Sequence, residues 1–258
     1  MPRLLVIGTD RSLLDVRSYA LQRQRAYYAS WEVDIVIMAS GAAASIQVDG
    51  ICVQTAGGAY KPQALWRAIK LVRKLVHTKT YDLISVQDSL WSGIVGYTAK
   101  RAHDAPLYLQ DHSSFYGRAP FTGVERILRP WTWWLARRAT RIRVVSIHSK
   151  NGLIARGIPA DRIDLIPVAS TLQFKEHLYR SPARTLFSAG RLEPEKGYDT
   201  CLRAWALLPQ LDGQLVIAGD GSKRASLEAL AQQLGIAARV RFLGYQSDLE
   251  PYWQAADL

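Results

Sequence analysis

The chain has 258 residues, of which 48% are hydrophobic and 21% charged, and its formal net charge is +11. This composition is typical of a globular protein of one or two domains and excludes a disordered chain. Cys52 and Cys201 lie far apart, which excludes a disulfide framework and a cysteine metal site and fits a reducing cytoplasm. The excess positive charge predicts an anionic partner: nucleic acid, a membrane surface or a phosphorylated substrate.

The amino-terminal half alternates strand patterns with helix patterns. Residues 3–8 predict a first buried strand, residues 13–29 a helix and residues 33–38 a second strand. Residues 42–58 are rich in turn formers and predict one or two short strands. This order is typical of a Rossmann-like sheet, although the G-x-G-x-x-G spacing of a dinucleotide fingerprint is absent.

A glycine and two polar residues follow predicted strands of this half. Gly8 ends the first strand, Asp88 follows residues 83–86, and His112 follows a later strand. Because the carboxyl ends of parallel strands meet at one edge of a sheet, these three residues are predicted to line one crevice. His112 is a candidate to bind a substrate hydroxyl or to titrate. Two alternatives remain: Gly8 serves only a tight turn, and His112 only caps a turn through Asp111.

Two helical segments of this half are strongly basic. Residues 63–76 predict an amphipathic helix whose basic outer face we interpret as a solvated surface. Residues 121–143 combine Trp131, Trp133 and Trp134 with arginines and a single acidic residue. Basic helices with tryptophan can lie on anionic membranes. The alternative is a helix that packs its aromatic face on the sheet and leaves its arginines in water.

The composition changes again towards the carboxyl end. Residues 171–183 have mixed polarity and no clean period, so they predict a linker. The linker separates an amino-terminal domain, residues 1–170, from a second β/α series, residues 184–258. In this series Ser222 follows the turn at Gly219 and is the predicted N-cap of the next helix.

A loop near the start of the second series carries Gly190, Arg191 and Lys196 between a strand and a helix. Two cations beside the first amides of a helix are typical of a diphosphate site. The alternative is a basic surface turn whose charges pair with Glu193 and Glu195.

Four runs of the second half resemble, in order and spacing, the group 1 retaining glycosyltransferases of GT-B fold. They are GRLEPEKG from Gly190, LVIAGDG from Leu215, VRFLGY from Val240 and YWQAADL from Tyr252. The amino-terminal half resembles the acceptor domain of this family more loosely. The resemblance implies an α/β fold with two Rossmann-like domains facing a cleft. It also implies transfer of a sugar from a nucleotide-diphosphate sugar to an acceptor hydroxyl with retention, in glycan, polysaccharide or glycolipid biosynthesis.

The resemblance assigns residues to this reaction. Arg191 and Lys196, together with Gly190, correspond to positions that bind the donor diphosphate, and His112 corresponds to a histidine that contacts the donor sugar. No metal and no cofactor are expected, because the two cations supply the charge that a metal would. Further donor or cleft contacts are expected at Gly8, Asp88, Gly219, Tyr245 and Gln246.

The sequence departs from the family pattern in three places that matter. The Asn-Gly expected after the last strand of the amino-terminal half is replaced by Val168, Ala169 and Ser170. The paired glycines expected after the first strand are replaced by a single glycine, Gly8, followed by threonine, aspartate and arginine. The two glutamates that grip the donor would lie beyond Leu258. We therefore expect the second domain to be incomplete here, and this chain alone to bind donor weakly and turn over little.

The expected partners are a nucleotide-sugar donor, a sugar or lipid-linked acceptor, and an anionic membrane contacted through residues 121–143; nucleic acid is not expected. No apolar run is long enough for a signal peptide or a membrane span, which predicts a place in the cytoplasm, at the inner face of the membrane. One alternative is a basic nucleic-acid- or membrane-binding protein without activity. Another is a nucleotide-sugar epimerase or a phosphorylase of the same fold, which would need additional acids or a cofactor lysine.

Overall fold

The computed structural model describes residues 1–112, 116, 123–168 and 184–257. The chain forms two compact units, Met1–Ala169 and Ser170–Leu258. The predicted domain boundaries at residues 170 and 184 remain a prediction, and the predicted linker, residues 171–183, lies outside the described residues. Each unit is an α/β structure with its own sheet and its own apolar core.

The first unit is built on an eight-stranded sheet with the order β3-β4-β2-β1-β5-β6-β7-β8. All neighbouring strands are parallel except β3 and β4, which form an antiparallel pair at one edge. The central strands are apolar runs because both of their faces are covered or partly covered. The strands are β1 (Arg3–Gly8), β2 (Glu32–Ile37), β3 (Ala44–Val48), β4 (Ile51–Thr55), β5 (Leu83–Val86), β6 (Leu107–Asp111), β7 (Arg141–Val144) and β8 (Ile163–Leu165).

The helices of the first unit divide between the two faces of this sheet. Leu5 and Ile7 of β1 pack into the core beneath the larger helical layer, whereas Leu4 and Val6 point to the opposite core. This division follows from the alternation of side chains along a strand. Among the described residues no helix is long and apolar enough to cross a bilayer. The helices are α1 (Tyr19–Tyr27), α2 (Lys61–Thr78), α3 (Trp91–Ala102), α4 (Gly123–Arg138) and α5 (Ile147–Ile154).

The predicted helix over residues 13–29 is wrong at its start. Residues Arg11–Leu14 form a short 3-10 turn, and α1 begins only at Tyr19. The Asp10 carboxylate accepts from the amide of Ser12 at 2.9 Å, and the hydroxyl of Ser18 accepts from the amide of Leu21 at 3.1 Å. Short polar side chains that bind backbone amides favour helix starts and turns over continuous helix, so the segment divides here.

Helix α4 packs its tryptophans inward. The side chain of Trp133 is 7% exposed and lies edge-on to Tyr116, with 5.0 Å between the ring centroids. Trp131 and Trp134 stack on each other and both lie edge-on to Tyr97 of α3. For these three side chains the structure therefore shows the second interpretation: the aromatic face of the helix packs against the fold.

The second unit has a three-stranded parallel sheet in the order β11-β10-β9. Leu192, Leu202 and Ile217 are fully buried in its main core. On the other face of the sheet, Phe187 packs against Tyr252 and Trp253. The elements are β9 (Thr185–Ala189), α6 (Tyr198–Ala206), β10 (Gln214–Ala218), α7 (Arg224–Gln233), β11 (Val240–Gly244) and α8 (Glu250–Ala255).

A buried carboxylate in β2 accepts hydrogen bonds from two residues that follow α2 in the chain. Asp34 is 5% exposed and accepts from the Nζ of Lys79 at 2.8 and 3.0 Å and from the hydroxyl of Tyr81 at 2.7 Å. Burial and the hydrogen bond to Asp34 raise the pKa of Tyr81, which keeps its hydroxyl a donor. The charge is tolerated in a buried strand because its oxygens are satisfied.

We expect Asp34→Ala to lower the free energy of unfolding by about 3 kcal/mol, because it leaves a buried hydroxyl and an ammonium group without their acceptor. Urea unfolding measures the change. Tyr81→Phe, which removes only one donor, is the matched control and should cost less. The double variant should lose less than the sum of the two, and strict additivity would contradict the contact.

Candidate functional site

Three loops of the second unit lie side by side where β9, β10 and β11 end. The amide of Gly190 donates to the carbonyl of Ala218 at 2.9 Å, and the amide of Leu192 to that of Asp220 at 2.9 Å. The amide of Gly219 donates to the carbonyl of Gly244 at 2.7 Å. Backbone-to-backbone hydrogen bonds therefore fix the loop after β9 against the turn after β10, and that turn against the end of β11.

Two glycines permit this close approach. A Cβ on Gly219 would lie 1.9 Å from the carbonyl oxygen of Gly190, and φ at Gly219 is +138°, a conformation that L side chains rarely adopt. A Cβ on Gly221 would lie 2.5 Å from the carbonyl oxygen of Leu192. The Gly-Asp-Gly turn thus places backbone against backbone, where any side chain would separate the loops.

The loop from Gly190 to Gly197 combines one buried leucine with two exposed cations. Leu192 is fully buried, whereas Arg191 and Lys196 on either side of it are exposed. Gly197 adopts the left-handed conformation, φ +66°, and α6 begins immediately after it with no side-chain cap. The first amides of α6 consequently have no side-chain acceptor. Uncapped helix starts and nearby cations both favour a bound anion.

The cations of this loop differ in their surroundings. Nη2 of Arg191 donates to Oε1 of Glu195 at 2.8 Å, and both side chains are well exposed. An exposed pair of this kind is weak, so an anion with several oxygens can displace the carboxylate. Within the described part of the chain, no acidic side chain pairs with Lys196. The basic-turn alternative is thus correct for Arg191 and Glu195, without excluding an anion site.

Glu193 does not pair with a loop cation. Its carboxylate accepts from the amide of Ser222 at 3.0 Å and from the hydroxyl of Ser222 at 2.8 Å. The predicted N-cap role of Ser222 is therefore wrong: α7 begins at Arg224, after Lys223, and Ser222 instead binds the neighbouring loop. These hydrogen bonds hold the pKa of Glu193 below its usual value of 4.5.

Tyr245 and Gln246 follow β11 at the same edge of this sheet. Tyr245 is 79% exposed. The Gln246 amide group donates to the carbonyl of Leu243 at 3.1 Å and accepts from the hydroxyl of Tyr252 at 3.1 Å. Gln246 therefore holds the turn between β11 and α8, and Tyr245 presents an aromatic ring beside it.

In the first unit, Gly8, Asp88 and His112 lie at the carboxyl edge of the sheet, at or just beyond the ends of β1, β5 and β6. Gln87 connects two of them. Its Oε1 lies 3.2 Å from Nε2 of His112, and its Cγ lies 3.2 Å from the position a Cβ on Gly8 would take. Sequence reasoning missed Gln87, although its place directly after β5 was the available signal.

The contact with Gln87 suits one tautomer of His112. With Oε1 of Gln87 as the acceptor, Nε2 carries the proton and Nδ1 stays available as an acceptor. Partial desolvation of the ring lowers the pKa of His112 below 6.5, the positive charge of Arg143 lowers it further, and Asp111 opposes the shift. The lowered pKa favours the neutral ring, which offers hydrogen bonds and not a charge.

The carboxylate of Asp88 binds backbone amides at the start of α3. Its carboxylate accepts from the amide of Leu90 at 2.9 Å, from the amide of Ser92 at 3.2 Å, and from the hydroxyl of Ser92. Burial raises the pKa of this carboxyl, and the same hydrogen bonds partly offset the shift. The structure therefore gives Asp88 a role in positioning α3 at the sheet edge.

A cavity of about 340 Å³ opens beside the ends of β1 and β2. Lys61 at the start of α2 and Trp91 at the start of α3 contribute a cation and an aromatic ring to its wall. The cavity has the size of a small-molecule site and lies next to Gly8 in the chain. Its lining residues are Thr9, Met38, Ala39, Ser40, Lys61, Ala64 and Trp91.

Side chains that could bind a metal ion are not grouped in the part of the chain that the structure describes. Among the residues described, no three or more His, Cys, Asp or Glu side chains come together in a way that could hold a metal ion. Cys52 and Cys201 are unpaired and partly buried.

Two family models cover nearly the whole chain. The glycosyl transferase 4-like domain matches residues 16–169, and the glycosyl transferases group 1 model matches residues 170–258.

A curated relative, the alpha-D-kanosaminyltransferase of Streptomyces kanamyceticus, is 30% identical over 171 residues, which are 58% of this chain and 44% of that protein. The chain spans about half, or less, of the length of the curated relatives that it matches. Two solved structures share the fold. Sucrose-phosphate synthase from Thermosynechococcus elongatus has a TM-score of 0.76 at 19% identity, with 99% of this chain and 74% of that chain covered. Anabaena HepE in complex with UDP and glucose has a TM-score of 0.69 at 20% identity, with 99% and 73% covered.

Glu193→Ala should release the loop after β9 from the start of α7. We expect hydrogen exchange at the Ser222 amide to accelerate about ten-fold or more, because its acceptor is lost. Since the pKa of Glu193 is lowered, the parent protein should keep this protection above pH 4.5 and lose it as the pH falls through the lowered value. Glu195→Ala is the control and should leave Ser222 unchanged. Unchanged exchange in Glu193→Ala would contradict the contact.

His112 should titrate below pH 6.5, and Arg143→Gln should raise its pKa towards that value. The folded protein binds this proton less readily than the unfolded chain. Stability is therefore unaffected above pH 6.5 and decreases as the pH falls from there through the folded value. The imidazole signals of His112 in a pH series of NMR spectra report the pKa directly. A pKa at or above 6.5 in the parent protein would contradict the described surroundings of the ring.

Proposed function

Because the chain belongs to the group 1 glycosyl transferases, we propose that the whole protein transfers a sugar from a nucleotide-diphosphate sugar to an acceptor hydroxyl. The predicted family and the predicted α/β fold class, with Rossmann-like domains of the GT-B type, are confirmed. We assign the reaction to glycan, polysaccharide or glycolipid biosynthesis. The resemblance of the loop at Gly190 to the retaining members supports retention at the anomeric carbon.

One observation carries the proposal: exposed Arg191 and Lys196 lie on a backbone-fixed loop that leads into the uncapped start of α6. In the reaction the bond between the anomeric carbon and the diphosphate breaks, the acceptor oxygen forms the new bond, and a nucleoside diphosphate and a proton leave. Negative charge grows on the departing phosphate. Cations already in place stabilise that charge more in the transition state than in the ground state.

The charge of these two side chains supports transfer without a metal or another cofactor. Arg191 reaches the diphosphate by leaving Glu195, and Lys196 adds a second positive charge on the same loop. Gly190 and Gly219 hold this loop against the turn after β10, and the first amides of α6, which have no side-chain cap, are proposed to approach the phosphates. Tyr245 is proposed to lie against the base, since its exposed ring follows β11 at the same sheet edge.

The first unit is proposed to contribute His112 to the donor sugar. Neutral imidazole with a protonated Nε2 and an available Nδ1 suits hydrogen bonds to sugar hydroxyls. Gly8 and Asp88 lie at the same edge as His112, Gly8 beside Gln87 and Asp88 at the start of α3. The cavity at Lys61 and Trp91 is the proposed place of the acceptor, a sugar or a lipid-linked sugar.

The family membership favours an enzyme over a non-enzymatic nucleic-acid binder and over an epimerase or phosphorylase. HepE was solved with UDP and glucose, which supports a nucleotide-sugar donor for this chain as well. Two unpaired cysteines fit the cytoplasm. Contact of residues 121–143 with the inner face of an anionic membrane stays part of the proposal. It is supported by the exposed Arg126, Arg137 and Arg138.

Titration of UDP, GDP and ADP into the full-length protein tests the diphosphate site through the Tm. We expect at least one nucleotide to raise the Tm, and Arg191→Ala and Lys196→Ala each to weaken its binding about ten-fold or more, because a charge-assisted hydrogen bond is lost. Arg203→Ala, an exposed cation of α6, is the control and should bind like the parent. The proposal is wrong if no nucleotide shifts the Tm, or if all three variants bind alike.

A further inference from the structure

The outer face of α2 concentrates positive charge and one aromatic ring. These exposed residues recur at helical spacing and fall within about a third of the helix circumference. Opposite them, Ala64, Ala68, Val72 and Leu75 are buried against the sheet. We call the exposed set the α2 basic face; it consists of Trp66, Arg67, Lys70, Arg73, Lys74 and His77.

Among the residues that the structure describes, no acidic side chain neutralises this charge. Helices α2 and α3 pack side by side and contain no acidic residue. Within the described ranges, Arg67, Lys70, Arg73 and Lys74 form no ion pair with any carboxylate. Solvated helical faces generally mix charges of both signs, and a single-sign surface has a long-range attraction for anionic partners.

Trp66 distinguishes this face from a merely basic surface. Its side chain is 55% exposed, although α4 shows how this fold buries its tryptophans. The Nζ of Lys70 lies 3.7 Å from the centroid of the Trp66 ring. A tryptophan ring flanked by cations is suited to the interface between headgroups and acyl chains, where its apolar part is buried and the cations contact phosphates.

We infer that the α2 basic face binds the surface of an anionic lipid bilayer. The helix is an 18-residue element attached to the unit by its apolar side, so it lies on a bilayer lengthwise with the whole cationic stripe against the headgroups. A single-stranded nucleic acid would instead require a groove with several stacking rings, and this face has one ring on a convex helix. The arginines of α4 lack an exposed tryptophan, so α2 carries the contact and α4 is secondary.

Flotation of the full-length protein with vesicles tests this surface. The test variant is Arg67→Gln, Lys70→Gln, Arg73→Gln and Lys74→Gln together. A cation near an anionic surface contributes about five-fold to partitioning, so we expect a loss of at least about 100-fold on vesicles containing phosphatidylglycerol. Neutral phosphatidylcholine vesicles should recover little of either protein. Trp66→Ser alone should weaken partitioning about ten-fold by removing the buried ring.

The matched control removes four exposed cations elsewhere, Arg17→Gln, Arg184→Gln, Arg203→Gln and Arg241→Gln, and has the same net charge as the test variant. It should lose less than about ten-fold, because these side chains lie off the face. Equal loss in both variants would show a general charge effect and overturn the inference.

Two further experiments test which helix makes the contact and whether the partner is a bilayer or a nucleic acid. A variant of α4, Arg126→Gln, Arg137→Gln and Arg138→Gln, should retain most of the vesicle binding; if it loses binding and the α2 variant does not, the surface is α4 and the inference is wrong. Binding of a labelled oligonucleotide through α2, without recovery on anionic vesicles, would also overturn it. Circular dichroism of each variant checks that α2 remains folded.

Discussion

Hydrogen bonds between backbone groups hold the cationic loop of the second unit in place, and the proposed chemistry depends on them. The amides of Gly190 and Leu192 donate across to Ala218 and Asp220, which is possible only because Gly219 and Gly221 carry no side chain. Glu193 adds a side-chain link to Ser222. Without this attachment, Arg191 and Lys196 would be ordinary flexible surface cations, and ordering them on a ligand would cost conformational entropy.

Most of the fold follows from hydrophobic periodicity, and the exceptions have local causes. The strands were predicted from short apolar runs, and the long helices from apolar residues that recur at helical spacing. The start of α1 was missed because Asp10 and Ser18 capture backbone amides over a stretch whose composition still looks helical. The membrane interpretation of residues 121–143 rested on their arginines, their tryptophans and the helical spacing of both. Spacing does not reveal that Tyr97 and Tyr116 supply packing partners for the tryptophans.

Some residues of the candidate site can likewise be predicted from the sequence, and others cannot. Arg191, Lys196 and Gly219 are visible in the sequence because charge and glycine placement can be read one residue at a time. Gln87 can be placed after β5 from the sequence, but its contact with His112 and the link between Glu193 and Ser222 are not visible there. Both contacts join loops that lie 25 and 29 positions apart in the chain. Asp88 shows the opposite error, in which the sequence suggests a ligand contact that the structure uses otherwise. A carboxylate at a strand end has the pattern of a ligand contact, yet here it binds the amides that begin α3.

The ion pair between Arg191 and Glu195 changes how occupancy of the loop is understood. A carboxylate four residues away accepts from the guanidinium, and both side chains are well exposed. In the proposed site, a phosphate would replace this weak internal partner of Arg191. Breaking the pair is then part of the cost of binding, so the proposal favours a ligand that offers the guanidinium two acceptor oxygens over one that offers a single oxygen.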